Sequence, residues 1–307
     1  MHDSDQFIAD NVPAGTDSSR QTPSEIIAQS LVGDISALVS PPDVYVKLNA
    51  LIADQSATID EVAAVMLRDT SLTFKVLQLA NSSVYGQGSK VDTVSRAVTI
   101  VGLMEVQKMV CTISAVRTFS KLSSQLTNMN AFWRHGVYVG LMAQTIARRA
   151  NILHPERLFV AGVLHDVGAL IINHRFPELA GTIIAEVKGS EDRLSQLETE
   201  RLGFDHAYLG GLMLQSWHLP TTLCEAVRLH HLPHCAQLAG LDATILKVAD
   251  TIANFSGTGS FSEIVALEDP ENVSRLAQFG VHLNCTNDEL MDEIDQQFVE
   301  TIYLLVG

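Results

Sequence analysis

The pattern Thr-x-x-Glu occurs four times in this chain, each time ahead of apolar residues spaced three and four apart. The four copies begin at Thr22, Thr58, Thr222 and Thr286. In such a pattern the threonine caps the first turn of a helix, and the glutamate returns a hydrogen bond to the capping residue. Strand-like alternation is rare, and the sequence contains no Asn-Gly or Asp-Gly hairpin turn. The sequence therefore predicts an all-α fold.

Composition divides the chain into four parts. We expect a flexible leader, an N-terminal helical half, a second helical half and a C-terminal helical extension, at residues 1–21, 22–122, 131–254 and 255–307. A polar loop, 121–130, separates the two halves. The extension begins with a Gly/Ser-rich segment and ends in a capped helix over roughly 287–305.

The charge balance narrows the class of protein. Thirty-five acidic residues against 20 Lys and Arg give a net charge of -15, which disfavours nucleic acid or an anionic membrane as the main partner. No apolar run is long enough to span a bilayer, and the N-terminus lacks the pattern of a signal peptide. None of the four cysteines forms a Cys-x-x-Cys pair. We therefore expect a soluble cytoplasmic protein without a zinc ribbon or a disulfide framework.

The feature that points to chemistry is the pair His165-Asp166, which lies within the apolar segment VAGVLHDVGAL. The same apolar spacing runs from 156 to 173, so the pair is predicted to lie on an apolar helix. Ionisable groups are rarely buried without a partner, and a metal ion would supply one. Imidazole and carboxylate together suit divalent iron, manganese or zinc.

Five further candidates lie on other predicted helices of the second half, which holds nine of the eleven histidines. They are His135, His206, His230, His231 and Asp250. Helical bundles commonly build metal sites from the inner faces of several helices. Each residue taken alone also has a simpler explanation. A single histidine or aspartate can be a hydrogen-bonded core residue, and the pair at 230–231 can be a helix C-terminus.

The order His, His-Asp, His, His-His, Asp resembles the HD superfamily of metal-dependent phosphohydrolases, especially its members with two metals. The resemblance implies that His135, His165, Asp166 and Asp250 hold one divalent ion. It further implies that Asp166 bridges to a second ion held by three more side chains, His206, His230 and His231. A shared carboxylate is physically reasonable because it screens two neighbouring cations.

The surrounding motifs are similar to the HDOD subfamily over roughly residues 27–255. In the first half these motifs are SPPDVYVKLNALI, Asp69–Thr73, Asn81–Gly86 and Ser95–Val110. In the second half they are LHDVG, GFDHAYLGGLMLQSWHLP and AVRLHH. The resemblance implies a multi-helix bundle in which an N-terminal helical subdomain packs on an HD-like core. It also implies a signalling or regulatory role, because many HDOD proteins have no established catalytic activity.

The chain departs from the cyclic-di-GMP phosphodiesterases of the HD-GYP type at three places. Ala169 stands where those enzymes carry a lysine, Ala131 stands where they often carry a glutamate, and no Gly-Tyr-Pro motif follows His231. A lysine there would stabilise negative charge on a phosphate. Arg134 and Lys247 are candidates to replace it.

Three hypotheses remain open from the sequence. The first is a signalling module with a structural or sensory metal site and little or no activity. The second is a phosphohydrolase acting on a nucleotide or cyclic dinucleotide, in which Asp166 would be catalytic. The third is a metal-free scaffold. No receiver, kinase or GGDEF-type domain is recognisable, so we expect a signalling protein to act as partner in trans.

Overall fold

The computed structural model describes residues 22–306, apart from 55–56, 83–84, 86–89, 123, 237, 258–275 and 284. Within those ranges it contains fifteen α-helices, three short 3-10 segments and no strand. The predicted all-α fold is therefore confirmed. The predicted leader and most of the Gly/Ser-rich start of the extension lie outside the described residues.

The first six helices precede the polar loop. They are α1 (Pro23–Ser36), α2 (Asp43–Ala53), α3 (Ile59–Met66), α4 (Thr70–Ala80), α5 (Val94–Val101) and α6 (Leu103–Phe119). The next eight form the second half. They are α7 (Met129–Arg149), α8 (Glu156–Leu164), α9 (Val167–Arg175), α10 (Pro177–Val187), α11 (Glu191–Leu202), α12 (His206–Ser216), α13 (Thr221–Arg228) and α14 (Gly240–Phe255). The chain ends in α15 (Asn287–Val306).

Three of the four predicted capping boxes are confirmed, at the starts of α1, α3 and α15. The fourth, at Thr222, was wrong. Helix α13 begins at Thr221 with Pro220 as its N-cap, which makes no side-chain cap bond. The Glu225 carboxylate instead accepts the backbone N–H of Leu238 at 3.2 Å. This bond connects the segment before α14 to α13. Glu225 is therefore engaged in a tertiary contact and does not form the capping box.

The apolar spacing of 60–80 runs through a break between α3 and α4. Asp69 begins α4 by accepting the backbone N–H of Leu72 at 3.0 Å, and it also binds Arg117 at 2.7 Å. Thr73 bonds back to the carbonyl of Met66 at 3.1 Å. The polar residues of the segment Asp69–Thr73 therefore shape the corner between two helices.

The expectation that His165-Asp166 lies within one apolar helix was also wrong. Helix α8 ends at Leu164, His165 is its C-cap, and α9 begins after Asp166. Asp166 has φ -100° and ψ 7°, the sparsely populated region typical of turns and functional sites. Periodicity could not show this break, because apolar residues continue at helical spacing on both sides. The corner lets both side chains turn toward the same interior.

Helix α7 is the central element and packs against α8, α14 and α15. Its contact with α8 is close because a Cβ added to Gly162 would lie 2.6 Å from the Cα of Gly140. One apolar core runs through both halves of the chain. At their junction Trp217 donates to the carbonyl of Val39 at 2.7 Å. This packing holds the N-terminal helices against the helices that carry the candidate site.

No single helix within the described ranges is both long and apolar enough to cross a bilayer. Helix α5 and the helical segment 103–122 reach that length and composition only when they are joined, and they meet at a bend of 109°.

Candidate metal centre

The structure brings all seven sequence-predicted side chains to one place inside the second half. His135 lies on α7 and Asp250 on α14, whereas His206 is the first residue of α12. The pair His165-Asp166 forms the corner between α8 and α9, and His230-His231 follows the end of α13. The prediction that the last pair would end that helix was wrong, since the helix ends at Arg228.

Close helix packing sets the spacing of these residues. A Cβ added to Gly168 would lie only 2.0 Å from the carbonyl oxygen of His206. Real Cβ atoms do not approach a carbonyl oxygen so closely, so only glycine permits this contact between α9 and α12. The contact draws His206 toward Asp166, which lies two residues before Gly168.

Four atoms form a first compact set. The Nε2 of His135 lies 3.1 Å from Oδ1 of Asp250 and 3.4 Å from Nε2 of His165. The Nε2 of His165 lies 3.2 Å from Oδ2 of Asp166 and 3.7 Å from Oδ1 of Asp250. These separations are those expected between ligand atoms that share one cation.

A second set lies on the other side of Asp166. Its Oδ1 is 3.4 Å from Nε2 of His206 and 3.9 Å from Nε2 of His230. The Nε2 of His231 lies 2.9 Å from that of His206. The two oxygens of one carboxylate thus face two different groups of imidazoles, which is the arrangement of a bridging ligand.

Hydrogen bonds behind the rings fix which nitrogen faces inward. The Nδ1 of His165 lies 2.7 Å from the carbonyl of Gly162, and that of His230 lies 2.7 Å from the carbonyl of Val227. The Nδ1 of His206 lies 2.6 Å from the Glu198 carboxylate. Each Nδ1 therefore donates a hydrogen bond to its partner, and each Nε2 faces the interior, which is the orientation of metal-binding histidines.

The donor set fits a divalent cation. The Nε2 of His230 is buried and has no hydrogen-bond partner in the described structure, which is costly for a polar atom. In addition, the Nε2 atoms of His135 and His165 approach to 3.4 Å. Imidazole nitrogens and carboxylates that are buried close together are stabilised when a cation binds between them.

The electrostatics agree with this fit. Burial alone would raise the pKa of Asp166, but His165 and His206 hold it well below its ordinary value. Burial and the charge of His165 lower the pKa of His230 to about 4. Burial and the neighbouring His230 also hold the pKa of His231 well below its ordinary value. The carboxylate and these two rings therefore favour the states that bind metals. Burial lowers the pKa of His165 and His206, but the carboxylates beside them raise both pKa values well above the ordinary value, so a metal ion that binds there has to displace a proton from each ring.

Two acidic residues near the site were missed by sequence reasoning. Glu198 on α11 accepts both the backbone N–H of His206, at 2.8 Å, and its Nδ1. Glu191 begins the same helix. Burial, followed by the charges of Asp166 and Asp250, raises its pKa well above the ordinary value. The available signal for Glu198 was its position beside Leu194 and Leu197 on the buried face of an otherwise polar helix.

The two candidates for a replacement cation have different positions. The Arg134 guanidinium lies over the Phe298 ring, 5.1 Å from its centre, and so faces the C-terminal helix. The Nζ of Lys247 lies 3.4 Å from the carbonyl of His231, beside the second set of imidazoles. Ala169 is buried at 2% exposure. Lys247 is thus the cation that the fold places next to the site.

Comparison with known proteins agrees with the architecture and the motifs. The crystal structure "Putative phosphohydrolase from Shewanella amazonensis SB2B" is 28% identical, with a TM-score of 0.70, and the match covers 90% of this chain and 98% of that one. An HDOD domain protein from Geobacter sulfurreducens is 23% identical, also with a TM-score of 0.70, over 91% of this chain and 97% of that one.

A protein of Treponema pallidum (strain Nichols) is 23% identical over 248 residues, which are 80% of this chain and 48% of the relative. The chain thus spans about half the length of that curated relative. Residues 38–233 match the HDOD domain, which is more than half of the sequence. On this match the chain belongs to the HDOD domain family.

Proposed function

We propose that this chain is a regulatory signalling module whose HD-like site holds divalent metal in a structural or sensory role. The observation that carries the proposal is the position of Asp166. Its Oδ2 lies 3.2 Å from His165 and its Oδ1 lies 3.4 Å from His206. One carboxylate between two imidazole groups suits two cations better than one.

The residues divide naturally between the two positions. His135, His165 and Asp250 would hold the first ion, whereas His206, His230 and His231 would hold the second. Asp166 would contribute one oxygen to each. Glu198 orients His206 and adds negative charge behind it. The mixed nitrogen and oxygen donors suit iron, manganese or zinc, each of which supplies Lewis acidity when bound.

Burial favours a structural or sensory metal over an efficient hydrolase. Six of the seven side chains are buried; their residues are His135, His165, Asp166, His206, His230 and Asp250. His231 is only partly exposed. With Ala169 the chain also lacks the cation that HD-GYP-type enzymes place there.

A phosphohydrolase acting on a nucleotide or cyclic dinucleotide is the second candidate. It is favoured by Lys247, whose ammonium group lies beside His231 and could hold a phosphate oxygen. It is also favoured by the Shewanella amazonensis relative, which carries the name of a phosphohydrolase. In such an enzyme Asp166 would be the catalytic carboxylate.

As a regulatory module, the chain would respond to a nucleotide-like ligand or another signal. It would pass that signal on by binding a separate signalling protein. The acidic balance of the chain disfavours nucleic acid as that partner. We also propose the two-half division at 22–122 and 131–254 as the functional division, with the metal centre confined to the second half.

Metal content and hydrolysis together test the proposal. Protein purified without chelator is analysed for metal by mass spectrometry, as wild type and as the His165→Ala/Asp166→Ala double variant. The exposed His174, on α9 close to the site in sequence, provides the matched control His174→Ala. Each protein is then incubated with mononucleotides and cyclic di-GMP.

We expect one or two ions per chain in the wild type and in His174→Ala, near-complete loss in the double variant, and no turnover in any of them. Less than about a tenth of an ion per wild-type chain would refute the metal centre, since such sites bind metal tightly. Hydrolysis that disappears only in the double variant would refute the module and establish the second candidate.

A further inference from the structure

A large cavity in the described part of the chain lies away from the candidate metal centre. It has about 440 Å³ and is bounded by α4, α6, α7, α8 and α15. A volume of this size is typical of pockets for small organic ligands. Because α15 closes one side, the C-terminal extension contributes directly to the pocket.

A buried ion pair lies in the wall of this cavity. Lys108 and Glu105, one turn apart on α6, form a close salt bridge, and their side chains are 15% and 20% exposed. The Lys108 ammonium also lies 4.7 Å from the centre of the Phe159 ring. Burial lowers the pKa of Lys108, the paired Glu105 carboxylate opposes this effect, and the nearby charge of Arg148 lowers the pKa slightly further. Glu105 therefore already neutralises Lys108, and Arg148 is the cation of the lining that is left to attract an anionic ligand.

Two hydrogen-bonding groups of the lining are buried and have no partner among the described residues. They are Nε2 of Gln144, on α7, and Oγ of Ser82, just after α4. Gln144 is only 2% exposed, so solvent does not satisfy its amide. An unpaired buried donor costs about 1–3 kcal/mol, so a ligand that offers an acceptor oxygen there is favoured.

The remainder of the wall is mainly apolar. Leu79, Met109, Leu141 and Leu304 contribute aliphatic surface. The Tyr303 ring is largely exposed at the rim, as are Arg148 and Glu300. A ligand that matches this lining has an apolar body that fills the interior and an acidic oxygen group directed at Arg148 and the amide.

We propose that this cavity is a binding site for a small organic anion with an apolar body, such as an aromatic or medium-chain carboxylate. The acid group lies beside Arg148 and accepts a hydrogen bond from Gln144. The apolar body packs against the leucines and against α15.

The cavity and the metal centre share two helices. Gln144 and His135 lie nine residues apart on α7, a distance of about 13 Å at the helical rise. Phe159, on the cavity side, and His165, at the metal centre, belong to α8 and its C-cap. An anion in the cavity would therefore contact the same rigid pair of helices that positions the first metal set, which gives the proposed module a place for its input.

The test uses the full chain and a matched pair of probes. 8-Anilinonaphthalene-1-sulfonate carries an apolar body with an acid group, and N-phenyl-1-naphthylamine has the same body without it. Fluorescence titrations measure the Kd of each. Octanoate and 1-octanol are then compared as competitors, because they differ in the same way.

We expect the sulfonate to bind at one site and octanoate, but not octanol, to displace it. Arg148→Gln should weaken sulfonate binding about tenfold, the usual effect of losing one charge-assisted contact. Gln144→Glu, which keeps the shape but repels an anion, should weaken it further. Arg193→Gln is the control, because Arg193 is exposed on α11 and does not line the cavity. Hydrogen exchange should slow in α15 when the probe binds.

Three results would overturn the proposal. The first is equal affinity for the sulfonate and its neutral analogue. The second is sulfonate binding that neither variant changes, which would locate the probe elsewhere. The third is the absence of binding to the wild type. Because Arg148 is exposed, its variant should fold normally, and circular dichroism confirms this before titration. None of these results depends on metal at the His165–Asp166 corner.

Discussion

Replacing Glu198 with alanine should weaken both the fold and the metal centre. One oxygen of this buried carboxylate accepts the backbone N–H of His206 at 2.8 Å and its Nδ1 at 2.6 Å. His206 is fully buried, so both donors lose their partner when the carboxylate is removed. The ring also loses the contact that fixes its orientation toward Asp166.

The magnitude follows from these two bonds. Each unsatisfied buried donor costs about 1–3 kcal/mol, and water entering the vacated space recovers part of this, so we expect a loss of about 3 kcal/mol. In Glu198→Gln the amide oxygen can still accept both bonds, and only the charge is lost. That variant should lose about 1 kcal/mol. Because Glu198 supports the proposed ligand His206 from behind, Glu198→Ala should also weaken metal binding about 10- to 100-fold.

The assay is urea unfolding followed by circular dichroism, with and without chelator, together with metal competition. Glu200→Ala is the matched control, because Glu200 lies on the same helix but is exposed. Its unfolding free energy should change by less than about 0.5 kcal/mol. If Glu198→Ala behaves like this control in both stability and metal affinity, then Glu198 does not orient His206, and the reasoning fails.

Two further substitutions separate close packing from capping. Gly168→Ala should destabilise the fold by more than about 2 kcal/mol and reduce metal content, because its Cβ would lie 2.0 Å from the His206 carbonyl oxygen. Gly33→Ala is the control. Because the space around Gly33 is open, that variant should be neutral or stabilising in thermal unfolding. Asp69→Ala should cost about 1 kcal/mol at neutral pH through the lost helix cap. Burial opposes ionisation of Asp69, but its cap bonds and Arg117 keep its pKa below the ordinary value of 3.8. Its contribution is therefore present above that value and lost as pH falls through the folded pKa, so the difference from wild type in urea unfolding should shrink below about pH 4.

The helical class and most helix starts could be predicted because capping is local. A threonine and a glutamate three residues apart are sufficient to close the box at α1, α3 and α15. The same pattern failed at Thr222 because Glu225 is used by a residue thirteen positions away. Local rules therefore hold until a tertiary partner competes for the same side chain.

The sequence indicated which seven residues to consider for the candidate site, but it did not indicate how the backbone and the supporting side chains arrange them. The order of histidines and aspartates pointed to seven residues, and the structure brings all seven together. The corner at His165-Asp166 was hidden, because apolar periodicity continues across it. Glu198 was hidden because its partner, His206, lies beyond the end of its own helix. Periodicity places Glu198 on the buried face of its helix, but it does not indicate which residue the carboxylate contacts.

Anomalous diffraction from crystals of the unchelated protein tests the central claim most directly. Data collected at the iron, manganese and zinc absorption edges identify the element as well as its position. The bridging position of Asp166 predicts two anomalous peaks about 3.5–4 Å apart, one beside His135 and Asp250 and the other beside His206 and His231. A single peak on one side of Asp166, or imidazoles bonded only to one another with no peak at any edge, would contradict a two-metal centre.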